Sequence, residues 1–314
     1  MSRTLGSRAP FISVVIPCYD QVDVLLVCAD SVYAQDYPRD KFEVVIVDDH
    51  SPTPLEAGLR RRLAHADNVT IVRNDRNRGP YFSRNRGARI ARGSLLAFTD
   101  SDCKVDASWL RSIETALTCP EAVCVQGAQI SAGAWGGFME DGDRMLAFLK
   151  KRRRVDTKNF AIRKEVFDHY CFNEELRTNG DTDLGIRLHL DAVAVTYSPE
   201  VIVTHYTETL REVLAKARKY GEGQVYICRK YGWLYVNRKF VLPIGLLIPL
   251  YLCSGALDIL LRGPMYAFAR AAARTGTAIA FRRCWRGRSD THVEDATLCR
   301  SLAKETSKLP EAKS

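Results

Sequence analysis

Phe11–Pro17 (FISVVIP) is apolar at nearly every position and rich in β-branched side chains, the pattern of a strand covered on both faces. The pattern returns at Phe42–Val47 (FEVVIV), Val69–Arg73 and Leu95–Thr99. Between these runs the apolar positions take helical spacing, over Val22–Ala34, Pro54–Ala66 and Pro80–Arg92. Pro80 suits the first turn of the last helix, where a missing N–H costs nothing. Strands alternating with helices predict right-handed βαβ crossovers, and so an α/β fold with a mostly parallel sheet and helices on both faces.

Past Trp109 the alternation loosens. A Gly-rich stretch, Gly127–Gly142, precedes the basic run Lys150-Lys151-Arg152-Arg153-Arg154. A strand-like Asn159–Arg163, a helix around Asp181–Leu190 and a strand-like Val201–Thr204 follow. Phe240–Leu261 then holds a single charge, Asp258, in 22 positions, and Pro264–Phe281 is apolar apart from Arg270 and Arg274. Such a run is long enough for a bilayer core of ~30 Å. Pro243, Pro249 and Asp258 interrupt it, and Arg238, Lys239 and Arg262 flank it, which fits a segment that enters and returns, or lies in the cytoplasmic interface, better than a clean span. A helical pair packed on the preceding domain is the soluble alternative.

Composition narrows the class. The 314 residues are 46% hydrophobic and 26% charged, ordinary for a globular chain. Ten cysteines with no C-x-x-C pair argue against a zinc ribbon or a thioredoxin-type site and fit a reducing compartment. The net charge of +9 suits anionic lipid, nucleic acid or phosphorylated substrates. Nucleic acid is not expected, because the basic run lacks interleaved aromatics and no nucleic-acid motif is present. Met1–Pro10 has no apolar core of a signal peptide, so the expected location is the cytoplasm or the cytoplasmic face of the membrane.

In an open parallel sheet, ligands bind beyond the carboxyl ends of the strands. Two strands here run into acids, Asp48-Asp49 and Asp100-Ser101-Asp102. Alternation lets Asp100 and Asp102 point the same way, and paired hard oxygen ligands in a basic protein suit magnesium or manganese. Gly79-Pro80 opens a helix carrying Arg84, and a helix N-terminus with an arginine is suited to a diphosphate.

Taken in order, the blocks Ser13–Asp20 (SVVIPCYD), Val45–Ser51 (VIVDDHS), Asn77-Arg78-Gly79, Arg84–Gly87 (RNRG), Phe98–Asp102 (FTDSD) and Gly180–Leu184 (GDTDL) resemble the family 2 glycosyltransferases of GT-A fold, over about residues 11–230. The resemblance implies that Pro17, Tyr19 and Asp49 hold the nucleoside of a nucleotide diphosphate sugar and that Asp100-Ser101-Asp102 is the D-x-D motif. It further implies that Asp102 ligates Mn2+ or Mg2+ beneath the diphosphate, that His205, after a strand, joins the metal or diphosphate, and that Asp181 is the catalytic base. Asp20 stands for the family's Asn, His50 for its Gly, and Gly180 for the Glu before the base. No Q-x-x-R-W block of processive synthases follows, since Gln224–Arg229 reads QVYICR.

The expected organisation is a flexible N-terminus over 1–10, a GT-A domain over 11–230 with a nucleotide-binding half (11–105) and an acceptor half (106–230), a membrane-associated apolar helical region over 231–290 and a polar tail. The expected activity is metal-dependent, inverting transfer of one sugar to a glycan or lipid-linked acceptor at a membrane surface. A sugar-nucleotide nucleotidyltransferase would need a Gly-rich loop where Cys18-Tyr19-Asp20-Gln21 stands. A catalytically inactive GT-A-like binding protein is the other alternative, raised by Gly180.

Overall fold

Four strands build the first half of one sheet: β1 (Ile12–Cys18), β2 (Phe42–Asp48), β3 (Val69–Arg73) and β4 (Leu95–Phe98), all parallel in the order β3-β2-β1-β4, with β1, β2 and β4 buried throughout and β3 partly buried at the sheet's edge. The computed structural model describes residues 10–56, 58–59, 67–132, 155–206, 223, 225–227 and 229–231. The chain divides into two compact units, Met1–Thr209 and Leu210–Ser314, and the first contains the sheet.

The connections follow the apolar spacing. Helix α1 (Val22–Tyr33) buries Leu25, Cys28, Ala29 and Val32 against the sheet. Helix α2 (Pro80–Ile90) begins with its proline and lies so close to β1 and β2 that a Cβ on Gly87 would come within 2.5 Å of Val15 Cγ1. Cys18 of β1 pairs in register with Asp48 of β2, while Val15 pairs with Phe98 of β4. The loops after these three strands therefore leave the same edge of the sheet. Of the helix expected over Pro54–Ala66, positions 54–56, 58 and 59 are described; 56, 58 and 59 are helical, and Pro54 and Leu55 precede the helix.

The second half departs from the parallel expectation. β5 (Cys103–Val105), β6 (Cys124–Ala132), β7 (Phe160–Arg163) and β8 (Val195–Tyr206) extend the sheet as β4-β7-β6-β8-β5, with α3 (Trp109–Ala116), α4 (Lys164–Tyr170) and α5 (Gly180–Leu190) beside them. β7 runs antiparallel to both β4 and β6, and β5 antiparallel to β8, whereas β6 and β8 are parallel. The sheet is mixed. A short buried strand carries the same apolar run in either direction, so side-chain pattern cannot tell which way a neighbour runs.

Asn159 joins this half together. It is fully buried, accepts from Trp109 Nε1 at 2.8 Å, and donates to the carbonyls of Ala128 at 2.6 Å and Val201 at 2.8 Å. One amide thus bridges α3, β6 and β8. Gly127 leaves room for it, since a Cβ there would sit 2.2 Å from Asn159 Nδ2. The expected result of Asn159→Ala is a loss of about 1–3 kcal/mol of stability, because a buried indole N–H and two carbonyls lose their partner. Urea unfolding of the full chain measures it.

The Gly-rich stretch enters β6 as far as Ala132, and its remainder, the basic run Lys150–Arg154, and the apolar segments Phe240–Leu261 and Pro264–Phe281 lie outside the described residues. Among the described residues, no helix is long and apolar enough to cross a membrane.

Candidate active site

The acids at the end of β2 are both buried and hydrogen-bonded. Asp48 is buried and accepts from the Ser51 N–H at 2.8 Å, the Leu55 N–H at 3.4 Å and Arg73 Nη1. Burial pushes its carboxyl pKa up, but the bonds from Ser51, Arg73 and Leu55 outweigh burial and hold it below the usual carboxylate range. Asp49 accepts from the N–H groups of Arg78 and Gly79, each at 2.8 Å, and from Asn74 Nδ2 at 2.7 Å. It fixes the turn that opens α2.

Pro17 is buried near the end of β1, and Tyr19 follows at the edge with 47% of its surface exposed. Asp20 and His50 have φ of 54° and 65°. Both lie in the left-handed region, where Asp and His are among the better tolerated non-glycine residues. The Asp20 N–H donates to Ser51 Oγ at 2.9 Å, tying the two strand-end loops together.

Arg84 projects from the middle of α2 towards the loop after β4, where its Nη2 pairs with Asp100 Oδ1. It is 4% exposed, and a buried guanidinium needs a carboxylate partner. Its partner in the protein is thus the first acid of Asp100-Ser101-Asp102. Ser101 donates to Gln21 Oε1 at 3.1 Å. Asp102 meets His205: Nε2 of the buried imidazole lies 3.2 Å from Asp102 Oδ2. The antiparallel register of β5 and β8, with Cys103 opposite His205, produces this contact across about 100 residues of sequence. Cys18, Cys28 and Cys103 pack around the same loops, and burial raises all three thiol pKa values, that of Cys18 to about 11. They remain protonated packing groups at neutral pH.

The segment leading to α5 is pinned to α2. Asn85 accepts from the Phe172 N–H at 2.9 Å and donates to its carbonyl at 2.8 Å, while Arg177 donates to Asn77 Oδ1 at 2.6 Å. Asn179, with φ of 61°, then turns the chain into α5. Asp181 and Asp183 stand in its first turn, where acids favour the positive helix end. Their surroundings differ sharply. Asp183 is fully buried and paired with Arg187 Nε at 2.9 Å; Arg187 also donates to the Cys171 carbonyl at 2.6 Å. Asp181 is half-buried, and its Oδ1 accepts from the Thr182 N–H at 2.7 Å and lies 3.5 Å from the Tyr81 hydroxyl.

The geometry thus brings together Asp100 with Arg84, Asp102 with His205, and Asp49 with the start of α2, all beyond the carboxyl ends of the parallel strands. Tyr81 and Arg187 carry no chemical signature in the sequence, and Asn85 only its place in the Arg84–Gly87 block; their roles come from contacts among α2, α5 and the segment between α4 and α5. Asp102 and His205 offer a carboxylate oxygen and an imidazole nitrogen side by side. Such a donor pair suits Mn2+ or Mg2+ that takes its remaining ligands from water and substrate phosphates. Among the described residues there is no group of three or more His, Cys, Asp or Glu that could hold a metal.

The model of glycosyl transferase family 2 matches residues 13–173. Glycosyltransferase AglE of Haloferax volcanii is 28% identical over 255 residues, covering 78% of this chain and 82% of that protein. The PGL/p-HBAD biosynthesis glycosyltransferase of Mycobacterium bovis is 28% identical over 206 residues, covering 64% and 78%. Among solved structures, the mannosyltransferase PcManGT from Pyrobaculum calidifontis, in complex with GDP-Man and Mn2+, shares the fold at a TM-score of 0.59 and 18% identity, covering 96% of this chain and 81% of that one.

Proposed function

Because this chain belongs to glycosyl transferase family 2, we propose that it moves one sugar from a nucleotide diphosphate donor to an acceptor hydroxyl, with inversion, in cell-envelope glycan or glycolipid assembly. The observation that carries this reading is the Asp102–His205 contact at 3.2 Å, beside the Arg84-held Asp100 and on different elements from Asp181. One cluster suits the departing diphosphate and the other the incoming hydroxyl.

In this reading Pro17, Tyr19 and Asp49 receive the nucleoside, with the exposed Tyr19 ring available to a base. Arg84 acts through Asp100, keeping the D-x-D loop in place. Asp102 and His205 would hold Mn2+ or Mg2+, which when bound neutralises charge growing on the departing diphosphate. Asp181 accepts the proton of the acceptor hydroxyl as that oxygen attacks the anomeric carbon, and a single displacement of this kind inverts the configuration. The missing Q-x-x-R-W block supports single transfer over processive synthesis.

Thermal stabilisation by a panel of UDP-, GDP- and other nucleotide sugars with Mn2+ tests donor binding, since a ligand at 100 times its Kd adds about 2.7 kcal/mol. Slow release of nucleoside diphosphate from the stabilising donor is expected. If no nucleotide sugar stabilises the protein, the reading fails; binding without turnover would favour an inactive binding protein, to which Gly180 points.

Membrane attachment belongs to the same proposal. The apolar residues 240–281, flanked by Arg238, Lys239 and Arg282, are expected to hold the enzyme on the cytoplasmic face as a re-entrant or interfacial hairpin. Attraction of exposed lysines and arginines to anionic lipid is screened over ~8–10 Å at physiological salt, whereas burial of apolar surface is not. The membrane fraction should therefore resist a high-salt wash and yield to detergent. Release by salt alone would refute the anchor.

A further inference from the structure

Tyr81 stands in the first turn of α2 and Gly180 opens α5, and the two residues meet directly. A Cβ built on Gly180 would lie 2.7 Å from Cδ2 and Cε2 of the Tyr81 ring and 2.8 Å from Cγ. Real Cβ atoms do not approach so closely, so any larger residue at 180 must displace the ring. The ring has little room to yield. It is 5% exposed and packs at a tilt of 38° against Phe172, centroids 5.5 Å apart, itself held by the reciprocal pair of hydrogen bonds to Asn85. From this seat the Tyr81 hydroxyl reaches Asp181 Oδ1 at 3.5 Å, the outer limit of a hydrogen bond.

We propose that Tyr81 is a positioning residue for Asp181: its ring occupies the space of the side chain missing at 180, and its hydroxyl orients the Asp181 carboxylate towards the acceptor. The proposal rests on the reading of Asp181 as the base. It also explains how the chain functions with Gly180 where the family resemblance places a glutamate. Burial raises the phenol pKa well above its ordinary value, and the nearby Asp181 charge adds to this. The phenol therefore stays protonated, acting as a donor to the carboxylate and never as a competing base. The arrangement needs no movement on binding, because ring, glycine and carboxylate are already in contact. A displaced first turn would be costly, since misplacing a catalytic group by about 1 Å can cost about 10²-fold.

Five variants of the full chain test it: Tyr81→Phe, Gly180→Ala, Tyr81→Ala, Tyr81→Ala with Gly180→Ala, and Tyr81→Phe with Asp181→Asn. The readouts are thermal unfolding, and kcat and KM for release of nucleoside diphosphate from the donor that stabilises the protein. Gly180→Ala should lower Tm in the wild-type background and cost much less when Tyr81 is already alanine, the non-additivity expected of residues in contact. Tyr81→Phe keeps the ring, so it should fold and keep the donor KM while kcat falls about 2–10-fold, the worth of one hydrogen bond. That loss should vanish in the Asp181→Asn background. Equal Tm penalties of Gly180→Ala in both backgrounds, or the same kcat loss from Tyr81→Phe with and without Asp181, would overturn the proposal. Asp181→Asn alone is the reference for the last of these variants; wild-type turnover by it would instead overturn the assignment of the base, and the Tm comparison would still decide whether Tyr81 sets the position of this turn.

Discussion

Asp181→Asn is expected to fold, to bind donor with unchanged affinity and to lose transfer by about 10²–10⁴-fold, the usual contribution of a general base. Two carboxylates share the first turn of α5, and their surroundings separate their roles. Asp183 is fully buried and ion-paired with Arg187, which also ties α5 to the end of α4 through the carbonyls of Tyr170 and Cys171. A proton accepted there would break a buried ion pair, and an acceptor sugar cannot reach it. Asp181 is half-buried, beside Tyr81. Asp183→Asn should accordingly act on stability, leaving Arg187 uncompensated. Steady-state transfer with a matched thermal melt separates the two outcomes. Near wild-type transfer by Asp181→Asn would place the base elsewhere.

Asp102→Asn is expected to abolish metal-dependent binding of nucleoside diphosphate. An amide keeps the shape of the carboxylate but loses the charge that makes it a ligand for a hard divalent cation. His205 alone, with a single imidazole nitrogen, is a poor substitute. The same substitution leaves Asp100 paired with Arg84, so the loop itself should survive. Calorimetry with nucleoside diphosphate and manganese should show heat for the wild type and none above the metal-free baseline for the variant. Unchanged affinity and unchanged metal dependence would refute Asp102 as a ligand. His205→Ala should weaken the metal-dependent part of binding in the same direction.

Some of this molecule is legible from residues alone because the responsible forces are local. Short, mostly apolar runs between helically spaced segments make strands wherever they fall, so β1, β2, β3 and β4 and the helices between them follow from periodicity. The acids after β2 and β4 are legible for a related reason: parallel strands joined by right-handed crossovers bring their carboxyl ends to one edge, so the residues following them become neighbours. What each acid does there is not local. Asp48 and Asp49 read alike, yet one is bound by Arg73 and the Ser51 loop while the other clamps the start of α2. Asp181 and Asp183 also read alike, and the fold separates them by burying Asp183 against Arg187 while Asp181 stays half-buried beside Tyr81.

The mixed second half of the sheet is likewise a tertiary outcome, because backbone hydrogen bonding accepts a short apolar strand in either direction and the connections decide. That outcome also sets which side chains meet. The antiparallel pairing of β5 with β8 is what brings His205 to Asp102. Gly180 shows the division most clearly. As a residue it reads as the loss of a carboxylate; in the fold it is the space that admits the Tyr81 ring, since side-chain volume is shared between elements that meet only after the chain has folded. Residue pattern alone sets the strands, the edge and the kinds of acid available there; packing across α2, α5, β5 and β8 sets the burial and the partners of each acid, because those contacts form only once distant segments meet.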